Sequence, residues 1–294
     1  MKPNKKSSLI KRHKQTFIAI AASLCIMVIA YAFTKSVQKN LGAITGDYHI
    51  VKSWTLPSSL DEISGISWIG ESTIACIQDE EGTIFIYDLD KKSIAKEIPF
   101  AGAGDYEGIV INNNDAYVMR SDGLLYEILN YDNDARDIKT FKTGFDASNN
   151  METLAWNQEL KALMTTPKDR DSNSDDYKGV YEISLQTKKA SSIPLLKIDM
   201  NEKALDVYKH KKIYKTFNPS DVAVHPKTKE IYILEGKDPK LLVYDSSGNL
   251  KTLHSFNTAQ FPQPEGITFS ADGQLYISNE AKDGKATIYL VELQ

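Results

Sequence analysis

The sequence is poor in the residues that carry most nucleophilic, redox and soft-metal chemistry. It has two cysteines in 294 residues. Cys25 falls in a hydrophobic N-terminal run and Cys76 in a stretch with strand character. The two form no disulfide framework, and Cys76 reads as a small buried apolar residue. The five histidines are His13, His49, His210, His225 and His254, and no Ser-His-Asp or Cys-His arrangement is visible. Basic charge is also scarce. The net charge is −4 although residues 1–14 hold six Lys or Arg and no acid, so the rest of the chain is acidic. An acidic body argues against nucleic acid as a partner, because binding phosphates needs basic surface.

Long apolar runs are limited to Thr16–Phe33, 18 residues without a charge, preceded by the basic run Lys5–Lys14. That is the minimum length for a membrane span. The expectation is a basic cytoplasmic segment (1–15), a transmembrane helix serving as anchor (16–33) and a tether (34–46). Positive-inside topology then puts the globular part (47–294) outside the inner (plasma) membrane. Ala30-Tyr31-Ala32 resembles a cleavage site, so a cleaved signal peptide is the alternative. Both readings export the rest of the chain.

What is abundant is a repeated phrase: an acid, a small or turn residue, an aliphatic, then alternating apolar positions. It reads Glu62-Ile-Ser-Gly-Ile, Glu107-Gly-Ile-Val-Ile, Glu152-Thr-Leu-Ala-Trp, Asp221-Val-Ala-Val and Glu265-Gly-Ile-Thr-Phe, at spacings of 45, 45, 69 and 44 residues. Period-2 alternation and turn signals such as Ala271-Asp272-Gly273 follow each copy, giving four short strands per repeat. The last copy is one strand short, and His49–Leu56 is an extended segment with no repeat of its own. The predicted fold is therefore all-β: a five-bladed β-propeller of four-stranded antiparallel blades, with the N-terminal strand completing the last blade. The wide third spacing reads as an insertion at 199–216 with a short helix.

In such a fold Glu62, Glu107, Glu152, Asp221 and Glu265 open the innermost strands and ring one mouth of the channel. The second strands return to that mouth carrying Glu80, Arg120, Lys168, Glu235 and Glu280, side chains of mixed charge that can orient the acids. Clustered carboxylates repel unless neutralised, and oxygen ligands without His or Cys suit calcium or magnesium rather than zinc. The expectation is a Ca2+ ion held by three or four of the five acids with carbonyls and waters; the alternative is that the acids are solvated rim residues or hydrogen-bond caps to neighbouring loops. The loop Asp169-Arg-Asp171-Ser-Asn173-Ser-Asp175-Asp176 looks like the start of an EF-hand. It lacks the glycine and the bidentate glutamate of that motif, so a solvated hairpin loop is expected.

The phrases Leu56-Pro-Ser-Ser-Leu-Asp-Glu62-Ile-Ser-Gly-Ile, Asp105-Tyr-Glu107-Gly-Ile, Asn218-Pro-Ser-Asp221-Val-Ala-Val-His-Pro and Pro264-Glu265-Gly-Ile-Thr-Phe resemble the bacterial SdiA-regulated (YjiK-like) family, which is distantly similar to NHL-repeat propellers. The resemblance covers about residues 47–294, plus the N-terminal hydrophobic segment. It implies a five-bladed propeller with a calcium site and membrane association or export. Two functions are in view. One is an exported binding or signalling module for a protein or small-molecule ligand. The alternative is a calcium-dependent hydrolase of lactonase, esterase or phytase type.

Overall fold

The alternating segments form five sheets, each built on four sequential or ring-closing antiparallel strands. The computed structural model describes residues 45–282 and 284–294. Blade one comprises Ile63–Gly70, Thr73–Gln78, Glu81–Asp88 and Ser93–Ala103, and blade two Tyr106–Asn112, Asp115–Arg120, Leu124–Leu129 and Asp137–Lys142. Blade three comprises Ala155–Asn157, Ala162–Thr165, Tyr177–Ile183 and Leu196–Asp199, and blade four Pro219–Val224, Ile231–Glu235, Lys240–Tyr244 and Leu250–Ser255. Blade four's sheet also takes up the two-residue strand Thr45–Gly46 at its outer edge. In blade five, Pro264–Phe269, Leu275–Asn279 and Thr287–Leu293 are completed by the early strand Tyr48–Thr55, with Tyr48 opposite Leu293 and Thr55 opposite Thr287. This is the predicted closure, and it removes an open sheet edge.

The innermost strands of neighbouring blades touch in a closed cycle. Glycine recurs there because the backbones come so close. A Cβ on Gly65 would stand 2.8 Å from the Glu107 carbonyl oxygen, and one on Gly108 would stand 2.8 Å from the Leu154 nitrogen. In four blades a one-residue bulge precedes this point, between Ile63 and Gly65, Tyr106 and Gly108, Pro219 and Asp221, and Pro264 and Gly266. A bulge turns its extra side chain out of the pleat.

The cores lie between blades. Ile74, Phe85 and Tyr87 of blade one pack with Trp54, Tyr276 and Ile288 of blade five. Equivalent apolar clusters join blades one and two, two and three, and four and five. Between blades three and four the burial is partly ionic: Lys178, Glu235 and Lys240 are each fully buried. The Lys178 ammonium donates to the Phe217 carbonyl (2.6 Å), the Asn218 Oδ1 (3.2 Å) and the Lys168 carbonyl. Lys240 pairs with Glu235 and lies 4.1 Å over the Tyr208 ring.

Blade three's outer strand, Leu196–Asp199, begins only after Pro194, which offers no N–H to a ladder, and after Ile193, which is 77% exposed. The insertion carries two short 3-10 turns, Lys203–Tyr208 and Ile213–Lys215. The basic segment, the anchor 16–33 and nearly all of the tether lie outside the described residues. Among the described residues no helix is long and apolar enough to cross a membrane.

Trp54 tests the closure. It is buried between blades five and one, and its Nε1–H donates to the Leu89 carbonyl at 2.7 Å. Trp54→Ala is expected to cost about 3–5 kcal/mol, read as a lower urea midpoint.

Candidate functional site

The bulges decide which side chains reach the mouth. Equivalent bulge residues are Ser64, Glu107, Ser220 and Glu265. In blade three, Met151 bridges Pro167 while Ala155 pairs with Met164, which makes Glu152 the fifth. The ring is therefore three glutamates and two serines. The serines tie blades together: Ser64 donates to the Tyr106 carbonyl at 2.6 Å and Ser220 to the Pro264 carbonyl at 2.9 Å.

Glu62 and Asp221 do not share the position of the three glutamates. Glu62 sits two residues ahead of its bulge and is exposed. Asp221 sits one residue beyond its bulge, where blades one, two and five have glycine. It is 2% exposed and fills the gap at the axis. Its carboxylate accepts the Ile267 N–H (2.8 Å), its own neighbour Val222 N–H (2.8 Å) and the Leu154 N–H (3.4 Å), linking blades three, four and five. Burial pushes its carboxyl well up, and the three N–H donors act the other way.

At the mouth, Lys168 pairs with Glu152, and Asn150 Nδ2 donates to the other Glu152 oxygen at 2.8 Å. Burial raises Glu152 to about 8, with Lys168 opposing and Glu265 adding to the rise. Burial, then Glu152 and Asp105, hold Glu107 well above the ordinary carboxyl range. Burial raises Glu265 as well, against the pull of Lys168 and Gln263. Glu280 rises to about 7 through burial and the neighbouring Glu265 and Glu62, and Asp79 rises through burial, Glu62, Glu80 and Asp105. For Lys168, burial alone would lower the ammonium. The carboxylates of Glu152, Glu265 and Glu107 outweigh it and hold the ammonium above its usual value.

The other charged residues expected around the acids divide. Glu80 and Glu280 stand with the mouth acids. Arg120 turns away to Asp122 at 2.6 Å, and Glu235 is buried with Lys240. Asp79 and Asp105 complete the acidic group. Asp105 was legible in the phrase Asp105-Tyr-Glu107 but was not singled out. In the loop 169–176, Asp171 is consumed internally by Gly179 N–H at 2.7 Å and the Tyr181 hydroxyl at 2.8 Å. Among the described residues the histidines stand elsewhere. His225 Nδ1 accepts the Thr228 N–H at 3.0 Å beyond the inner strand's far end, His254 is buried in blade four's outer strand, and His49 and His210 are exposed.

The opposite end of the channel has the reverse character. Trp68, Ile111, Trp156, Val224 and Phe269, one from each inner strand, line a cavity of about 200 Å³ together with Ser67, Thr268 and Ser270, with no charged residue in its lining.

A hard cation fits the donor set at the mouth. All its donors are oxygens, carboxyls are crowded, and the buried Asp79 Oδ1 and Asn279 Oδ1 have no hydrogen-bond partner. Among the described residues, no three His, Cys, Asp or Glu side chains already converge as a ligand cluster.

A family model described as SdiA-regulated matches residues 42–282. No curated protein matches the chain. Among solved structures, the glutaminyl cyclase of Myxococcus xanthus aligns with a TM-score of 0.58 at 11% identity, over 85% of this chain and 98% of that one. The PQQ-bound aldose sugar dehydrogenase of Streptomyces coelicolor aligns with a TM-score of 0.52 at 12% identity, over 85% and 99%. A luciferin-regenerating enzyme gives a TM-score of 0.50 at 11% identity, over 84% and 95%. At these identities the likeness shows the fold alone.

Two outcomes follow from this geometry. Asp221→Ala leaves three buried N–H groups unpaired and is expected to cost about 3 kcal/mol or more in chemical unfolding. Stability should also fall as pH rises. Carboxyls raised in the folded state stabilise it below their unfolded values, and this is lost on passing through the folded ones. With Glu280 at about 7 and Glu152 at about 8, the melting temperature in chelator should drop between about pH 5 and 7. Lys178, lowered by burial to about 7, contributes in the opposite sense only above that window.

Proposed function

This chain belongs to the SdiA-regulated family, and on that footing we propose that it is an exported, membrane-anchored binding propeller whose acidic mouth holds a calcium ion. The observation that carries the reading is the placement of Glu107, Glu152 and Glu265 at equivalent bulges of three blades, with Asp79 and Glu280 beside them. The Lys168 ammonium is the cation that acts on all three glutamates. One ammonium does not balance that many carboxyls; burial is the main cause of their raised pKa values, and the neighbouring acids add to it at Glu107, Glu152 and Glu280.

Glu107, Glu152 and Glu265 would supply carboxylate oxygens, with Asp79 and Asn279 contributing their unpartnered oxygens. Asp221 belongs to the scaffold, since its lone pairs already serve backbone N–H groups. A bound divalent ion would neutralise the mouth and draw loops of different blades together, leaving a rigid charged surface for a partner. The anchor at 16–33 would keep that surface close to the membrane. Hydrolysis as the alternative would need a proton acceptor at the mouth. Among the described residues the histidines stand elsewhere, so that role would fall to a carboxyl.

Calorimetric titration of the chelator-treated full chain in detergent with calcium tests the reading. Binding is expected, weakened about tenfold or more in Glu107→Gln and in Glu265→Gln. Absence of binding to the folded wild-type chain would sink it. Turnover in an esterase or phosphatase screen of the loaded protein would move the assignment to the hydrolase.

A further inference from the structure

Lys168 occupies a place that the cation-binding reading leaves unexplained. It enters the mouth from the loop after blade three's second strand. Its backbone is fixed at both ends: its N–H donates to the Asn150 carbonyl at 3.0 Å, and its carbonyl accepts from the buried Lys178 ammonium. The side chain is less confined. Its exposure is 30%, against 6% for the Glu152 carboxylate it pairs with. The carboxylate therefore cannot leave for solvent, while the ammonium can swing out on its four-carbon stem without moving the backbone.

The position is also electrostatically chosen. Glu107, Glu152 and Glu265 come from three blades, and Lys168 acts on each of them. An ammonium there offers a single charge and three donors, whereas oxygens at the same mouth remain unsatisfied, including Asp79 Oδ1 and Oδ1 of Asn279, which is 1% exposed at the mouth end of blade five. Paired with Glu152, Lys168 limits the repulsion in the empty mouth. It also competes directly for the oxygens a metal would need.

We propose that Lys168 is a tethered counter-ion that holds the mouth together without metal and is displaced when a divalent cation enters. This rests on the cation-binding reading above and adds the regulation of that site. The displaced ammonium would move to the rim and place one positive charge at the edge of the loaded surface. Monovalent ions bring no more charge than the lysine already supplies and would not displace it. Calcium would, provided it recruits at least two of the glutamates at once.

The test uses the full chain in detergent after chelator treatment, titrated with calcium chloride by calorimetry and melted with and without calcium. Lys168→Met should bind calcium about tenfold or more tightly than wild type. Lys168→Arg, which keeps the charge, should stay close to wild type. In chelator, Lys168→Met should melt below wild type, and calcium should close the gap. A purely packing role would lower the melting temperature without tightening calcium binding. If methionine prevents folding, Lys168→Gln carries the same comparison. Calcium affinity unchanged or weakened in the neutral variant, with wild type still binding, would overturn the counter-ion role and leave the cation-binding reading standing. No calcium binding by either protein, both folded, would overturn both.

Discussion

The close approach of five strands at one axis is the constraint from which the other features follow. Where inner strands touch, three blades admit no Cβ without collision, and glycine stands there. The chain enters this contact through a bulge, so the residue just before it is turned toward the end of the channel. That is why Glu107, Glu152 and Glu265 share a mouth. In blade four the same axial slot holds Asp221, whose carboxylate replaces direct backbone contact with hydrogen bonds to both neighbouring blades. Ser67 and Thr268 do related work farther along, accepting the N–H groups of Ile111 and Trp68 at 3.0 Å. Side chains one position further on point to the far end, where they are uniformly apolar. One repeated backbone geometry thus produces a channel that is acidic at one end and greasy at the other.

Charge is distributed around the ring as unevenly as size. Apolar clusters join most neighbouring blades, but the boundary between blades three and four is held partly by buried Lys178, Lys240 and Glu235. Burying such groups is tolerable only with close partners, and each has them: backbone carbonyls for Lys178, Glu235 and an aromatic face for Lys240. Lys178 reaches the carbonyl of Lys168, so this polar boundary continues into the mouth. The insertion after blade three covers it with Tyr208 and leads into Phe217. The extra residues in the third repeat therefore roof the boundary that is least apolar.

The blade architecture was legible because it follows from local rules. Period-2 alternation, turn residues and the 44–45-residue spacing fix strand number and order. The missing final strand left the early segment one place to go. Glu107, Glu152 and Glu265 were legible for the same reason. Glu62 and Asp221 were grouped with them because the phrase was aligned on the acid. The fold aligns it on the bulge, and Pro219 and Ser220 show the true register only once Pro264 and Glu265 are superposed on them. Pairing was less legible than position: nothing in the spacing tells that Arg120 turns to Asp122 while Lys168 turns inward to Glu152.

The strand Tyr48–Thr55 has a consequence for how the ring comes into being. Its partner, Thr287–Leu293, is almost the last segment of the sequence. Blades one to three and the four main strands of blade four are contiguous stretches and can form in order as they are made, but blade five waits for both of its contributors. Until then the assembly is an open arc, and Ile74, Phe85 and Tyr87 of blade one have no neighbour to cover them. The entropy of closing so long a loop grows only logarithmically with its length. The arc is thus exposed less by a thermodynamic barrier than by timing: the strand made ahead of blade one must wait for the one that follows Leu275–Asn279. Folding of this domain completes at its seam, and a nascent or truncated chain presents the apolar side of blade one to whatever lies nearby.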